Sequence, residues 1–243
     1  MSMTSINCEQ IAPPVWASNT VQNLQGQEVH LWRINIDLSF HNLSALQEFL
    51  SPEELQKASN YLREQDRTRF IIGHACAKDL IARYLNIEVA QVSLNIGTNG
   101  KPCISPVHKL YFNISHSGDW VLIAFGPEEL GVDIEKITGD FITDILMEQC
   151  FHRQEIKVIK ESGDSTTDFF KFWTRKEAFL KATSNGMVDE LNQFTCMEEA
   201  QEFEFPSLSI KEHWDLKSFL MDQIYAVSLC AANPLNTIRF LNY

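Results

Sequence analysis

"LGVDIEKI", residues 130–137, is the stretch on which the reading of the chain turns. Its apolar residues make it a short buried strand, yet Asp133 and Glu135 stand two positions apart. Side chains alternate along a strand, so both acids project from one face and Val132 and Ile134 from the other. Two like charges side by side cost free energy that a bound cation would remove; a solvated strand face is the ordinary alternative.

The chain around it has 243 residues, 44% hydrophobic, 11% aromatic and 21% charged, enough to bury a sizeable core and too apolar for wholesale disorder. Twenty basic against 32 acidic residues leave a net charge of −12, which disfavours nucleic acid as a partner. A phosphate-bearing ligand must then be met by a local cluster of cations. The six cysteines (8, 76, 103, 150, 196 and 230) show neither CxxC nor zinc-site spacing, the usage of a reduced cytoplasmic protein. The opening "MSMTSINCEQIAPPVW" lacks the basic and apolar regions of a signal peptide, and no apolar run approaches the roughly 20 residues that cross a bilayer. A soluble, cytoplasmic protein with no membrane partner is expected.

The pattern predicts a half-buried strand over 28–38 and a helix starting at "LSPEEL". There Ser51 is the N-cap, Pro52 the first helical residue and Glu54 the completion of a capping box. An amphipathic helix over 66–85 follows, then a strand–turn–strand at Asn99-Gly100. "KLYFNISHSGDWVLIAFG" predicts two strands broken at Ser117-Gly118, the second buried on both faces. Beyond residue 137 come helical segments over 141–161, a loop "ESGDSTTD" (161–168), the helix "FFKFWTRKEAFLKA" (169–182) and a β-rich tail. "RTRFIIGHACAKDLIA" and "FFKFWTRKEAFLKA" echo one another, which suggests two α+β subdomains of similar build, 1–128 and 129–243, with a cleft between them.

On the second of these helices Glu177 shares a face with Phe170, Trp173 and Leu180, and Lys181 lies one turn on. Taken alone, Glu177 and Lys181 are an ordinary surface pair worth about 0.2–0.5 kcal/mol. Together with Asp133 and Glu135, Glu177 offers the oxygen ligands that Mg²⁺ takes at about 2.1 Å, with phosphates or water completing the shell. Ser115 and His116 in "FNISHSG", Lys101 in "NGKP", and Lys57 and Arg69 would alone be read as turn and surface residues.

The series "GKP", "FNISHSG", "GVDIEK" and "FWTRKEAFLKA", in this order and spacing, resembles the 4′-phosphopantetheinyl transferases, and among them the large Sfp-type class. The resemblance runs from about Ser51 to Lys181. It implies an α+β fold of two similar subdomains related by a pseudo-twofold axis, in a monomer with a single cleft. The implied reaction transfers 4′-phosphopantetheine from coenzyme A to a serine of an apo acyl, peptidyl or polyketide carrier protein, releasing adenosine 3′,5′-bisphosphate. Asp133, Glu135 and Glu177 then match the ligands of Mg²⁺ (or Mn²⁺). Ser115 and His116 match contacts to coenzyme A phosphates, and Lys57, Arg69, Lys101, Lys176 and Lys181 match a cationic cradle. Glu177, His116 and Lys181 are the residues expected at the chemistry. The first subdomain would contact coenzyme A, and the second would carry the metal site and dock the carrier. Two positions depart from the pattern: Glu54 stands where some members have lysine, and Ser184-Asn185-Gly186 replaces Gly-x-Gly. A metal-dependent phosphodiesterase and a non-catalytic carrier-binding module are the competing readings. Ser165 in "SGDST" faintly resembles a carrier's own modified serine and is read as part of the loop.

Overall fold

The computed structural model describes residues 3–18, 23–139, 142–184, 191–204 and 213–243. Its strands are β1 (Met3–Gln10), β2 (Ala17–Ser18), β3 (Val29–Asn35), β4 (Asn95–Ile96), β5 (Pro102–Cys103), β6 (Tyr111–Ser117), β7 (Trp120–Gly126), β8 (Leu130–Lys136), β9 (Glu199–Glu204), β10 (His213–Met221), β11 (Tyr225–Ala231) and β12 (Ile238–Asn242). The helices are α1 (Ile36–Phe40), α2 (Leu43–Gln47), α3 (Pro52–Ser59), α4 (Glu64–Leu85), α5 (Asp144–Cys150), α6 (Arg153–Glu161) and α7 (Ser165–Thr183).

A leading strand, a long helix and a hairpin recur in each half: β3, α4, β6 and β7 first, then β8, α7, β10 and β11. In both, the second hairpin strand lies antiparallel between the first and the leading strand. This is the α+β build of two like units expected from the sequence. The chain ends cross over. β1 pairs parallel with β10 in the sheet β8-β11-β10-β1-β9, while β12 pairs parallel with β3 in the sheet β2-β12-β3-β7-β6. Each unit thus takes a flanking strand from the opposite terminus, which a division at residue 128 does not capture.

Four layers result: α4, one sheet, the other sheet, α7. Trp32, Ile34, Ile123 and Phe125 face Ile72, Cys76 and Leu80 of α4. Leu31 and Leu122 on the opposite face meet Val132, Ile134, Val227 and Leu229. Ala178, Phe179 and Ala182 of α7 cover Ile6, Leu216 and Cys230. The placing of β3 between layers explains why Val29–Trp32 are all buried, where a half-buried strand was expected. The strand also stops at Asn35, whose side chain accepts the Leu38 N–H at 3.1 Å and starts α1. Part of the expected 161–168 loop is helix: Asp164 accepts the Thr167 N–H at 3.1 Å, so Ser165–Asp168 form the first turn of α7. Asn185, Gly186 and residues 205–212 of the expected tail lie outside the described residues. Among the described residues no helix is long and apolar enough to cross a membrane, and all six cysteines are free.

β6 and β8 belong to different sheets but run parallel and side by side, joined by side chains. Asn113 Oδ1, Ser115 Oγ and Ser117 Oγ accept the N–H groups of Val132, Ile134 and Lys136 at 2.8, 3.4 and 2.9 Å. Helix α7 then lies directly on β8, because residue 131 has no side chain. A Cβ there would stand 2.2 Å from the Ala178 carbonyl oxygen and 2.4 Å from the Ala182 nitrogen. In the first unit the capping box forms as expected, with Ser51 Oγ accepting from Glu54 N–H and Glu54 Oε2 from Ser51 N–H. Glu54 Oε2 also accepts from Lys78 Nζ at 3.2 Å, and Oε1 lies 3.2 Å from His74 Nδ1.

Gly131→Ala is expected to lower the unfolding free energy by about 2–3 kcal/mol in urea denaturation, as backbone has nowhere to give. Gly163→Ala, where a Cβ meets nothing within 4 Å, should change it by less than about 0.5 kcal/mol. Burial works to raise the Glu54 carboxyl, but hydrogen bonds from His74 and Ser51 and the Lys78 charge outweigh it and hold it at about 2 instead of 4.5. A depressed carboxyl adds stability above its unfolded value and loses it as pH falls through the folded one. The urea midpoint of the wild type should therefore fall between pH 4.5 and about 2 more steeply than that of Glu54→Gln.

Candidate active site

The junction of β6, β8 and α7 encloses a cavity of about 230 Å³ lined by Ile114, Ser115, His116, Asp133, Glu135, Trp173, Glu177 and Lys181. Strand alternation sends Asp133 and Glu135 into it while Val132 and Ile134 enter the core between the sheets. Helical spacing adds Trp173, Glu177 and Lys181 from one face of α7. Six of the residues singled out in the sequence, Ser115, His116, Asp133, Glu135, Glu177 and Lys181, therefore meet around one space.

Asp133 is the hub. Its Oδ1 accepts from Lys181 Nζ at 2.6 Å and from Ser115 Oγ at 2.9 Å. Lys181 Nζ also donates to Ser115 Oγ at 3.0 Å and to the Val132 carbonyl at 3.3 Å. Asp133 Oδ2 and Glu177 Oε1 are buried with no hydrogen-bond partner among the described residues. Glu135 accepts from Ser117 Oγ at 2.9 Å. Burial, and then the nearby Asp133 charge, push the Glu135 carboxyl up to about 7 against the opposing Ser117 bond and Lys181 charge. Burial and Asp133 raise Glu177 likewise. Crowding by protein, with the Lys181 and Arg69 charges, lowers the His116 pKa although its ring keeps accessible surface.

The acids share a cavity without forming a ready-made cage: among the described residues no three His, Cys, Asp or Glu groups stand close enough to hold a metal ion by themselves. Two orphaned carboxylate oxygens and two carboxyls destabilised in their charged form nevertheless fit a hard cation whose shell a ligand completes. Mg²⁺ takes few protein carboxylates and prefers phosphate oxygens for the remainder.

The other cations fall elsewhere. Arg69 braces the β6–β7 turn beside the cavity, donating from Nε and Nη2 to the Gly118 carbonyl at 3.1 and 3.0 Å and from Nη1 to Asp66 at 2.9 Å. Lys57 lies over the Phe70 ring, 5.4 Å from its centroid, and lines a second cavity of about 660 Å³ with Glu54, His74 and Lys78. Lys78 is a cation that the sequence reading left out of the ligand set; Glu54 holds it there. Two of the lysines expected in a cradle make their bonds to protein groups. Lys176 is buried away from the cavity, donating to Glu155 at 2.9 Å and to the Leu191 and Phe194 carbonyls at 2.7 and 2.6 Å. Lys101 donates to Glu129 at 3.3 Å and to the Leu130 and Lys181 carbonyls at 3.0 and 2.8 Å. An ammonium has three donors, and protein acceptors occupy all three in Lys176 and Lys101, as they also do in Lys181. Asn113, Ser117 and Gly131 build the site and were not among the site residues expected from the sequence. Their signal was polar alternation at 113, 115 and 117 along one strand, and a glycine two residues before the first buried acid.

Comparison with known proteins accords with this geometry. The family model "4′-phosphopantetheinyl transferase superfamily" matches residues 129–230, and the model "4′-phosphopantetheinyl transferase, N-terminal" matches residues 37–128. The chain is similar to the 4′-phosphopantetheinyl transferase Sfp of Bacillus subtilis (strain 168), with 29% identity over 76% of this chain and 84% of the relative. It is 30% identical to the Bacillus subtilis transferase ffp over 81% of this chain and 88% of that one. To the transferase HetI of Nostoc sp. (strain PCC 7120) it is 32% identical over 68% of this chain and 72% of that one. With two adjoining models covering most of its length, the chain belongs to the 4′-phosphopantetheinyl transferase family and, within it, to the Sfp-type class.

Proposed function

We propose that the chain transfers 4′-phosphopantetheine from coenzyme A to a serine of an apo carrier protein, at the cavity between β6, β8 and α7. The observation that carries this reading is the meeting of Asp133, Glu135 and Glu177 with Lys181, Ser115 and His116 around unpartnered carboxylate oxygens. We assign Asp133, Glu135 and Glu177 to Mg²⁺, for which Mn²⁺ is a substitute. Bound there, the ion would neutralise charge on the coenzyme A pyrophosphate and on the leaving phosphate.

The protein's own groups do the remaining work. Lys181, bonded to Asp133, Ser115 and the Val132 carbonyl, would exchange one of these bonds for a phosphoryl oxygen; electrostatic stabilisation of this kind is the main demand of phosphoryl transfer. His116, which lines the cavity, is the group we assign to hydrogen-bond the leaving side. Glu177, whose carboxylate lines the cavity, is the group assigned to accept the serine proton. The serine oxygen forms its bond to the β-phosphorus as the bond to adenosine 3′,5′-bisphosphate breaks, with the proton left on Glu177. Arg69, Lys57 and Lys78 are the cations of the first unit that we assign to the adenosine end, although Asp66 pairs with Arg69 and Glu54 with Lys78. The second unit docks the carrier. Because one chain holds both units, a monomer with one site suffices.

Incubating the chain with coenzyme A, Mg²⁺ and a panel of acyl, peptidyl and polyketide apo carriers tests the reading by mass spectrometry of the carrier. Adenosine 3′,5′-bisphosphate should appear only when apo carrier is present; its release without carrier would instead mark a phosphodiesterase. Asp133→Ala should lose roughly 100-fold or more in rate while keeping its circular dichroism spectrum. Full activity of that variant at saturating Mg²⁺ would remove Asp133 from the site.

A further inference from the structure

The β6–β7 turn belongs to the first unit, yet a residue of the second holds its tip. Tyr225, the first residue of β11, is 1% exposed and stands opposite Lys136 of β8. Its hydroxyl donates to Asp119 Oδ2 at 2.9 Å and accepts the Asp119 N–H at 3.2 Å. A hydroxyl has one proton and two lone pairs, so one phenol engages both the side chain and the backbone of the turn. Gly118 lets it come so near. The backbone there is left-handed, φ 55°, and a Cβ would stand 2.5 Å from Tyr225 Oη. On the other side Arg69 of α4 donates to the Gly118 carbonyl at 3.1 and 3.0 Å.

The residue before that glycine is Ser117. Its hydroxyl accepts the Lys136 N–H at 2.9 Å and donates to Glu135 Oε2 at 2.9 Å. A closed circuit results: Tyr225 pairs with Lys136, Lys136 bonds Ser117, and the turn after Ser117 returns through Asp119 to the Tyr225 hydroxyl. Lys136 Nζ also lies 3.6 Å from Asp119 Oδ2, so the aspartate meets a phenol and an ammonium together. Tyr225, Asp119 and Ser117 stand outside the lining of the cavity that Glu135 enters.

We infer that Tyr225 and Asp119 are positioning residues for the divalent ion: they pin the β6–β7 turn over β8 so that Ser117 orients the Glu135 carboxylate toward the metal. This rests on the metal assignment made above and deepens it. Groups that hydrogen-bond a ligating carboxylate without touching the ion typically change metal affinity about 10–100-fold when removed. Ser117 is such a group, and the phenol acts one step behind it, through the turn.

The Kd of Mn²⁺ in the presence of coenzyme A, read from the electron paramagnetic resonance of the free ion, tests it. Ser117→Ala should raise this Kd about tenfold or more, and Tyr225→Phe about fivefold. In the Ser117→Ala background Tyr225→Phe should add less than about twofold, because the two act in series. Asp119→Ala should match Tyr225→Phe, while Asp119→Asn, which loses the ion pair with Lys136 but keeps an acceptor for the phenol, should stay within about twofold of wild type. A wild-type Kd in Tyr225→Phe, an undiminished effect in the Ser117→Ala background, or an Asp119→Asn variant as weak as Asp119→Ala overturns the inference. If Tyr225→Phe does not fold, Asp119→Ala takes its place in both backgrounds. If the wild type binds no Mn²⁺, the metal assignment fails; faster hydrogen exchange at the Lys136 amide in Tyr225→Phe then upholds the pinning of the turn, and unaltered exchange overturns it.

Discussion

The site depends on β6 and β8 lying side by side without a main-chain ladder. Three side chains on alternate positions of β6 accept three alternate N–H groups of β8. An N–H buried without an acceptor costs about 1–3 kcal/mol, so Asn113, Ser115 and Ser117 together fix the separation and register of the two strands. Asp133 and Glu135 project from β8 into the cavity on the α7 side of this junction. Ser115 illustrates the economy of this arrangement: one hydroxyl joins the two strands, donates to Asp133 and receives Lys181.

Helix α7 completes the site because β8 lets it come close. Gly131 removes the side chain that would hold the helix off, and Lys101 fastens the helix end to the first residue of the strand. The buried Lys176–Glu155 pair works on the other side of α7, tying it to α6 and, through the Leu191 and Phe194 carbonyls, to the segment after the helix. A helix held from both sides can keep an atom such as Glu177 Oε1 buried without a hydrogen-bond partner among the described residues, a state that relaxes easily in a mobile element. The raised carboxyls of Glu135 and Glu177 record that constraint.

Much of this was legible in the sequence. The alternation in 130–136 assigned both faces of β8, the capping signals at Ser51 and Glu54 placed α3, and Ser117-Gly118 located the hairpin. Helical spacing put Glu177 and Lys181 on one face of α7. What stayed hidden depends on partners remote in the chain. Lys101 and Lys176 look like solvated cations until the fold delivers three acceptors to each. The acceptor role of Asn113 depends on a strand 19 residues later taking the same direction. The exchange of β1 and β12 between units is equally silent, because strand pairing across the whole chain leaves no local periodicity. Asp164 shows the opposite failure: a good N-cap sat within a run whose polar composition suggested a loop.

Crystals grown with coenzyme A and Mn²⁺, measured for anomalous scattering from the metal, test the central claim most directly. The account predicts one strong peak in the β6–β8–α7 cavity, ligated by the carboxylates of Asp133, Glu135 and Glu177 and by pyrophosphate oxygens. A metal seated elsewhere on the protein, with Glu177 hydrogen-bonded to the polypeptide and its oxygens out of reach of the ion, would contradict it.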